Sequence, residues 1–303
     1  MIKNKNTFLK IKKSYLAFID RQEKGNKFFY NKLGQLMDIY IPISELIFEE
    51  FKKNNQTIII GLSGGQGSGK STFAQILKLI LKKKYGFETV CFSIDDFYKK
   101  LSERKKMSKL VHKLFLTRGV PGTHDIKMLN HVISNLKRKK FKTTLIPTFE
   151  KSKDDRRKKK NWLKVTKKPQ IIIFEGWCVG ARDQKYADLV KPINTLEKKY
   201  DKEMIWRKKV NNELKKNYMP IFKKIDKLIY LKVPSFKYIL KWRTQQEKKL
   251  GFFSSGKKIM SPHQIKDFIM YYERISKKML SEYHKFSDIV VSIDNKHRFK
   301  KIT

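Results

Sequence analysis

Gly64-Gly65-Gln66-Gly67-Ser68-Gly69-Lys70-Ser71 has the spacing G-x-x-x-x-G-K-[ST]. Its glycines let the backbone wrap a polyphosphate, so that several N–H groups and the start of a following helix point at anionic oxygen. Lys70 then supplies a point charge for the β- and γ-phosphates, and the Ser71 hydroxyl is a natural Mg²⁺ ligand. The candidate nucleotide contacts are Gly64, Gly65, Gln66, Gly67, Ser68, Gly69, Lys70, Ser71 and Thr72. The same letters would occur in a plain glycine-rich turn, but the flanks argue otherwise. A β-branched run over 57–60 leads in, and an apolar-periodic stretch over 71–83 leads out. Strand, glycine loop and helix together predict a site for ATP or GTP.

Two further places offer carboxylates. The run 89–94 ends in Asp95-Asp96-Phe97-Tyr98. An aspartate there can take the proton of a hydroxyl that attacks a phosphoryl group. Asp95 or Asp96 is the candidate base, and the other suits a helix cap. The run 171–174 ends in Glu175-Gly176, and an acid at the end of an apolar strand beside a phosphate loop can help to hold Mg²⁺.

Arg118-Gly119-Val120-Pro121-Gly122-Thr123-His124-Asp125 is dense in residues that fix a backbone path. Arg118 and His124 could meet an anionic acceptor there. Alternatively, Thr123 or Asp125 caps a helix that starts near Ile126 and the rest is turn chemistry. Lys241-Trp242-Arg243-Thr244-Gln245-Gln246-Glu247 lies on an amphipathic stretch that can fold over phosphates as a lid, or can equally be a solvated helical face.

These residues need elements to position them. Apolar β runs over 57–60, 89–94, 143–146, 171–174, 228–233 and 289–293 alternate with helical periodicity over 126–136, 236–250 and 264–286. Such alternation predicts an α/β fold, a parallel sheet flanked by helices on both faces. In an open parallel sheet, ligands bind at the carboxyl ends of strands, where the residues above sit. The stretch 1–55 reads as a helical extension, with Pro42 in the first turn of its second helix, and 56–303 as the nucleotide domain. The charged segment 151–168 reads as a surface excursion, and 199–225 as one or two inserted helices.

The chain has 71 Lys and Arg against 28 Asp and Glu over 303 residues, a net charge of +43. That excess raises nucleic-acid binding as a rival function. The charge is spread along the whole chain, however, and Lys far outnumbers Arg, which fits compositional bias better than a binding face. Cys91 and Cys178 lie in apolar runs and read as core residues in a reducing cytosol. No window is apolar enough to span a membrane and no secretory signal is expected. The histidines and cysteines show no zinc-ligand spacing.

After the phosphate loop, Ser93-Ile94-Asp95-Asp96-Phe97-Tyr98, the Arg118–Asp125 loop, Phe174-Glu175-Gly176-Trp177-Cys178-Val179-Gly180 and Trp242-Arg243-x-Gln245-x-Glu247 follow in that order. Over about 40–295 the chain resembles the D-glycerate 3-kinases of plants and cyanobacteria, within the uridine kinase, phosphoribulokinase and pantothenate kinase superfamily. The Arg-Gly-x-Pro-Gly-Thr-His-Asp loop is the most specific part of that resemblance. It implies a P-loop kinase fold with a helical lid, MgATP as phosphoryl donor and D-glycerate as acceptor. It implies Asp95 as the acid acting on the acceptor hydroxyl, Glu175 and Ser71 at Mg²⁺, and Lys70 and lid Arg243 at the phosphates. Asp96, Tyr98, Arg118, Thr123 and His124 become the acceptor contacts. Pro147-Thr148-Phe149-Glu150-Lys151-Ser152 resembles a family segment with Glu150 in place of Asp. Lys153-Asp154-Asp155-Arg156 then follows, shorter than in the family and without its glycine.

Overall fold

A computed structural model describes residues 5–24, 29–252 and 260–303; residues 1–4 and 25–28 of the expected 1–55 extension lie outside them. Among the described residues, ten strands run in chain order. They are β1 Ile58–Gly64, β2 Thr89–Ser93, β3 Thr144–Ile146, β4 Phe149–Glu150, β5 Asp155–Arg156, β6 Leu163–Val165, β7 Ile171–Gly176, β8 Lys227–Lys232, β9 Ile289–Ile293 and β10 Phe299–Ile302. The long helices are α1 Lys5–Lys24, α3 Ile41–Asn54, α4 Lys70–Tyr85, α5 Leu101–Leu110, α6 Ile126–Leu136, α9 Ile205–Glu213, α11 Phe236–Phe252 and α12 Pro262–Glu282. Four shorter ones, α2 Lys32–Gln35, α7 Tyr186–Val190, α8 Thr195–Tyr200 and α10 Met219–Phe222, fill the connections.

The main sheet has the order β10-β9-β8-β1-β7-β2. β9, β8, β1, β7 and β2 pair in parallel, and β10 closes the edge antiparallel to β9. Period-two alternation along the strands divides the core between the two faces. Ile58, Ile60 and Leu62 of β1 pack with Phe73 and Ile76 of α4 and with Ile11, Tyr15 and Ile19 of α1. Ile59 of the same strand packs on the opposite face with Phe92, Phe174, Leu129 and Tyr272. Each Ile buried this way contributes roughly 1.5–3 kcal/mol of apolar transfer. The helices of the N-terminal stretch therefore share one core with β1 and α4.

One expectation needs correction. The run 143–146 is not in the parallel sheet: Thr144–Ile146 pairs antiparallel with Leu163–Val165 in a ribbon of its own. Thr144 and Ile146 are buried while Leu145 is only partly so, the pattern of a strand with one covered face rather than a fully buried central strand. The segment 151–168 is largely exposed, an excursion at the surface as expected, and it carries β5 and β6. The strand β10 was not expected, and makes the sheet mixed.

Pro42 does fall in the first turn of α3, but that helix follows without a break from α2 through a π turn, Leu36–Tyr40. The wider turn suits a proline that has no N–H to give. The insert 199–225 holds α9, a second π turn over Leu214–Tyr218 and α10. Among the described residues, no helix is long and apolar enough to cross a membrane.

Candidate active site

Strand register assembles the carboxyl ends. On β7, Glu175 lies opposite Leu62 of β1 on one side and Ser93 of β2 on the other. The phosphate loop, the Mg²⁺-type acid and the Asp95-Asp96 turn thus meet at one edge.

The loop from Gly64 to Gly69 leads straight into α4. Gly67 and Gly69 adopt φ of 78° and 91°, where a side chain would be strained. A Cβ on Gly67 would lie 2.9 Å from the Cβ of Trp242, and one on Gly65 2.6 Å from the Ile239 side chain. The expected lid, α11, therefore rests directly on the loop. Arg243 on α11 pairs with Glu247 at 2.6 Å and lies over the Phe268 ring. Lys70 Nζ donates to the carbonyls of Gly64 and Gly65, at 2.9 and 3.1 Å. Burial pushes its pKa down, while Glu175 and Asp95 pull it back up. Ser71 Oγ donates to Glu175 Oε1 at 2.7 Å, and Thr72 lies in the same first turn of α4. Burial raises the Glu175 pKa, with Lys70 and Ser71 opposing.

Asp95 and Asp96 have different surroundings. Asp96 Oδ2 accepts the backbone N–H of Ser93 at 2.9 Å, half of a capping box over Ile94–Phe97. Burial pushes its pKa up to about 6, the Ser93 N–H opposes this, and the charges of Asp95 and Glu175 add to the rise. Asp95 Oδ1 accepts from the Tyr98 hydroxyl and Oδ2 from Lys151 Nζ, both at 2.9 Å. Burial alone would raise its pKa. Lys151 and the Tyr98 hydroxyl outweigh that and hold the carboxyl well below the usual range.

The Arg118 loop is built rigidly. Thr123 Oγ1 donates to Val120 O and accepts from Gly119 N, so its hydroxyl is used inside the loop. Gly119 lies under Tyr272, whose hydroxyl would be 2.1 Å from any Cβ there and donates to Arg118 O. Tyr98 and His124 form a single antiparallel bridge, and their rings stack at 4.5 Å. Asp125 accepts from Met128 N and caps α6, as one reading of the sequence has it. Arg118 lies over the Phe149 ring and forms a close ion pair with Asp154.

The hairpin β4–β5 covers these groups and carries Lys151 and Asp154. Arg104, fully buried, ties the hairpin down through the Asp154 carboxylate and backbone carbonyl. Arg156 does the same through Tyr98 O. The structure therefore brings the loop, Lys70, Ser71, Asp95, Asp96, Tyr98, Arg118, His124 and Glu175 to one place, with Arg243 on the helix above. Sequence reasoning did not single out Tyr272 or Tyr218, and it met Lys151 only within the 147–152 segment, with no role assigned. Both tyrosines lie on core faces of their helices.

A phosphate loop with a strand-end acid, and a second acid at the end of the neighbouring strand, defines a P-loop kinase site. Residues 59–211 match the Phosphoribulokinase / Uridine kinase family, and the chain belongs to that family. It is 34% identical over 248 residues to "Uncharacterized kinase mug58" of Schizosaccharomyces pombe, covering 79% of this chain and 87% of that one. It is 28% identical over 258 residues to "D-glycerate 3-kinase, chloroplastic" of Arabidopsis thaliana, covering 79% of this chain but spanning only 53% of that protein. In fold it is similar to a D-glycerate 3-kinase from Cryptococcus neoformans, with a TM-score of 0.73 at 21% identity over 88% of this chain and 98% of that one.

Proposed function

We propose that this kinase transfers the γ-phosphoryl group of MgATP to the 3-hydroxyl of D-glycerate, giving 3-phosphoglycerate. The observation that carries the proposal is the environment of Asp95. One carboxylate faces Lys151 directly and lies within electrostatic reach of Lys70 and Glu175, with Arg118 close to Lys151 and Tyr98. An acceptor with a hydroxyl at one end and a carboxylate at the other has a partner for each: Asp95 for the hydroxyl, Arg118 and Lys151 for the carboxylate. The names of the Arabidopsis and Cryptococcus relatives support the choice of acceptor.

The roles follow from charge. The phosphate loop and Lys70 would hold the β- and γ-phosphates, with Lys70 leaving the carbonyls of Gly64 and Gly65 for a phosphate oxygen. Arg243 would come down from the lid onto the transferred group. Ser71 and Glu175 offer two hard oxygens 2.7 Å apart, which suits Mg²⁺ completed by phosphate and water. Bound there, Mg²⁺ would neutralise phosphate charge. Asp95, already ionised, orients the acceptor hydroxyl and accepts its proton as the bond to phosphorus forms. A strong base is not required, since the transition state is loose and positioning dominates.

The test is ADP release with a panel of hydroxy acids, sugars and nucleosides. D-glycerate should give the highest kcat/KM, with glycerol far behind. Equal turnover of glycerol and D-glycerate would rule out the carboxylate contacts.

A further inference from the structure

We propose that Tyr218 is a positioning residue: it fixes His124 in the Nε2–H tautomer, so that the imidazole presents one preset N–H donor to an oxygen of the acceptor. The identity of that acceptor rests on the reading above; the tautomer does not.

Tyr218 ends the π turn Leu214–Tyr218 and is fully buried. Its hydroxyl oxygen is 2.7 Å from His124 Nδ1 and accepts the N–H of Gly122 at 2.9 Å. Among the described residues the hydroxyl has two partners, the Gly122 N–H and His124 Nδ1, and of these only Nδ1 can accept the phenolic proton; the reverse arrangement would leave that proton buried without an acceptor. Nδ1 is then the acceptor, and a neutral ring must carry its proton on Nε2.

The ring is neutral. Burial pushes its pKa down to about 3; Asp95 opposes the fall and Lys99 adds to it. The other groups packed against it, Tyr98 and Tyr218, stay protonated because burial pushes both well above the ordinary tyrosine value.

Nε2 itself is buried with no hydrogen-bond partner, in a residue 1% exposed. An unpaired buried N–H is unfavourable, and an incoming oxygen relieves it. The ring stacks on Tyr98, whose hydroxyl holds Asp95. The ring and Asp95 thus share Tyr98 as a neighbour, which sets the donor near the carboxylate that would face the acceptor hydroxyl.

Long-range ¹⁵N correlation spectra at pH 7 test the tautomer without any acceptor. Wild type should show His124 as Nε2–H, and Tyr218→Phe should show a population of Nδ1–H. An imidazolium or an Nδ1–H tautomer in wild type would overturn the proposal. Kinetics test its use. Tyr218→Phe, with its fold checked by thermal melting, should raise the KM for D-glycerate roughly tenfold, the worth of one hydrogen bond, and leave the KM for ATP and kcat nearly unchanged. His124→Gln, whose amide N–H can reach the Nε2 position, should keep more acceptor affinity than His124→Phe. If both KM values rise alike, or neither does, Tyr218 is only structural. If wild type does not phosphorylate D-glycerate, the choice of substrate fails instead. The same comparison is then read with the acceptor that the panel identifies.

Discussion

Lys151 follows Asp95 by 56 residues, yet its Nζ lies 2.9 Å from Asp95 Oδ2. The lysine stem is largely exposed, so the contact is made by an ammonium that reaches inward from the β4–β5 hairpin. The two groups stabilise each other's charge: Asp95, against its own burial, raises the pKa of Lys151. The hairpin thus delivers a cation to the carboxylate on which phosphoryl transfer would turn.

Removing that cation should move a pH limb. In Lys151→Met, burial acts on Asp95 with its strongest opposing charge gone, so the Asp95 pKa rises. The acid limb of the kcat/KM profile for the acceptor should shift upward by about one unit or more, the scale of a nearby opposite charge. An unshifted limb would mean that the pair does not set the ionisation of Asp95.

The two adjacent acids should separate cleanly. Asp95→Asn is expected to lower kcat by ~10²-fold or more with the KM for ATP retained. Asp96→Asn keeps an oxygen for the Ser93 N–H and should retain most activity. A large loss on Asp96→Asn alone, measured by ADP release, would reverse the assignment.

Asp96 also gives a stability prediction. Its folded pKa of about 6 lies above the ordinary carboxylate value, so the folded state binds the proton more tightly. Its contribution is fully present below about pH 4 and is lost as pH rises through 6. Asp96→Asn should therefore gain on wild type across that window, by roughly 1–3 kcal/mol. Denaturant unfolding at pH 4 and pH 7 measures the difference; a constant gap would contradict it.

Lys70→Ala should melt like wild type or slightly higher, because a partly buried cation is removed. It should nevertheless lose most turnover, since preorganised charge on the transferring group is commonly worth 10²-fold or more. Near-normal turnover in a folded Lys70→Ala protein would argue against phosphoryl transfer at this site.

Arg118→Ala should raise the KM for D-glycerate more than the KM for ATP. Arg118→Lys should recover it only in part, because a forked bidentate contact is lost. An effect confined to ATP would place Arg118 on the nucleotide side instead.

The sequence alone determined whatever is written locally. The phosphate loop lies between its own strand and helix, Asp95 and Glu175 end apolar runs, and Asp125 caps the helix that it precedes. Each depends on neighbours within a few residues, and local sterics and periodicity settle such features. It also carried the parallel alternation, apart from β3, whose short apolar run reads the same as a strand of the main sheet.

Only the tertiary structure decided how these pieces meet. Parallel register set Glu175 between Leu62 and Ser93. Contacts spanning 56, 94 and 154 residues brought Lys151 to Asp95, Tyr218 to His124 and Tyr272 to the Arg118 carbonyl. Such contacts depend on packing across the sheet. A lysine among many lysines, or a tyrosine on an apolar helix face, reads the same in one dimension whether it lines a site or fills a core.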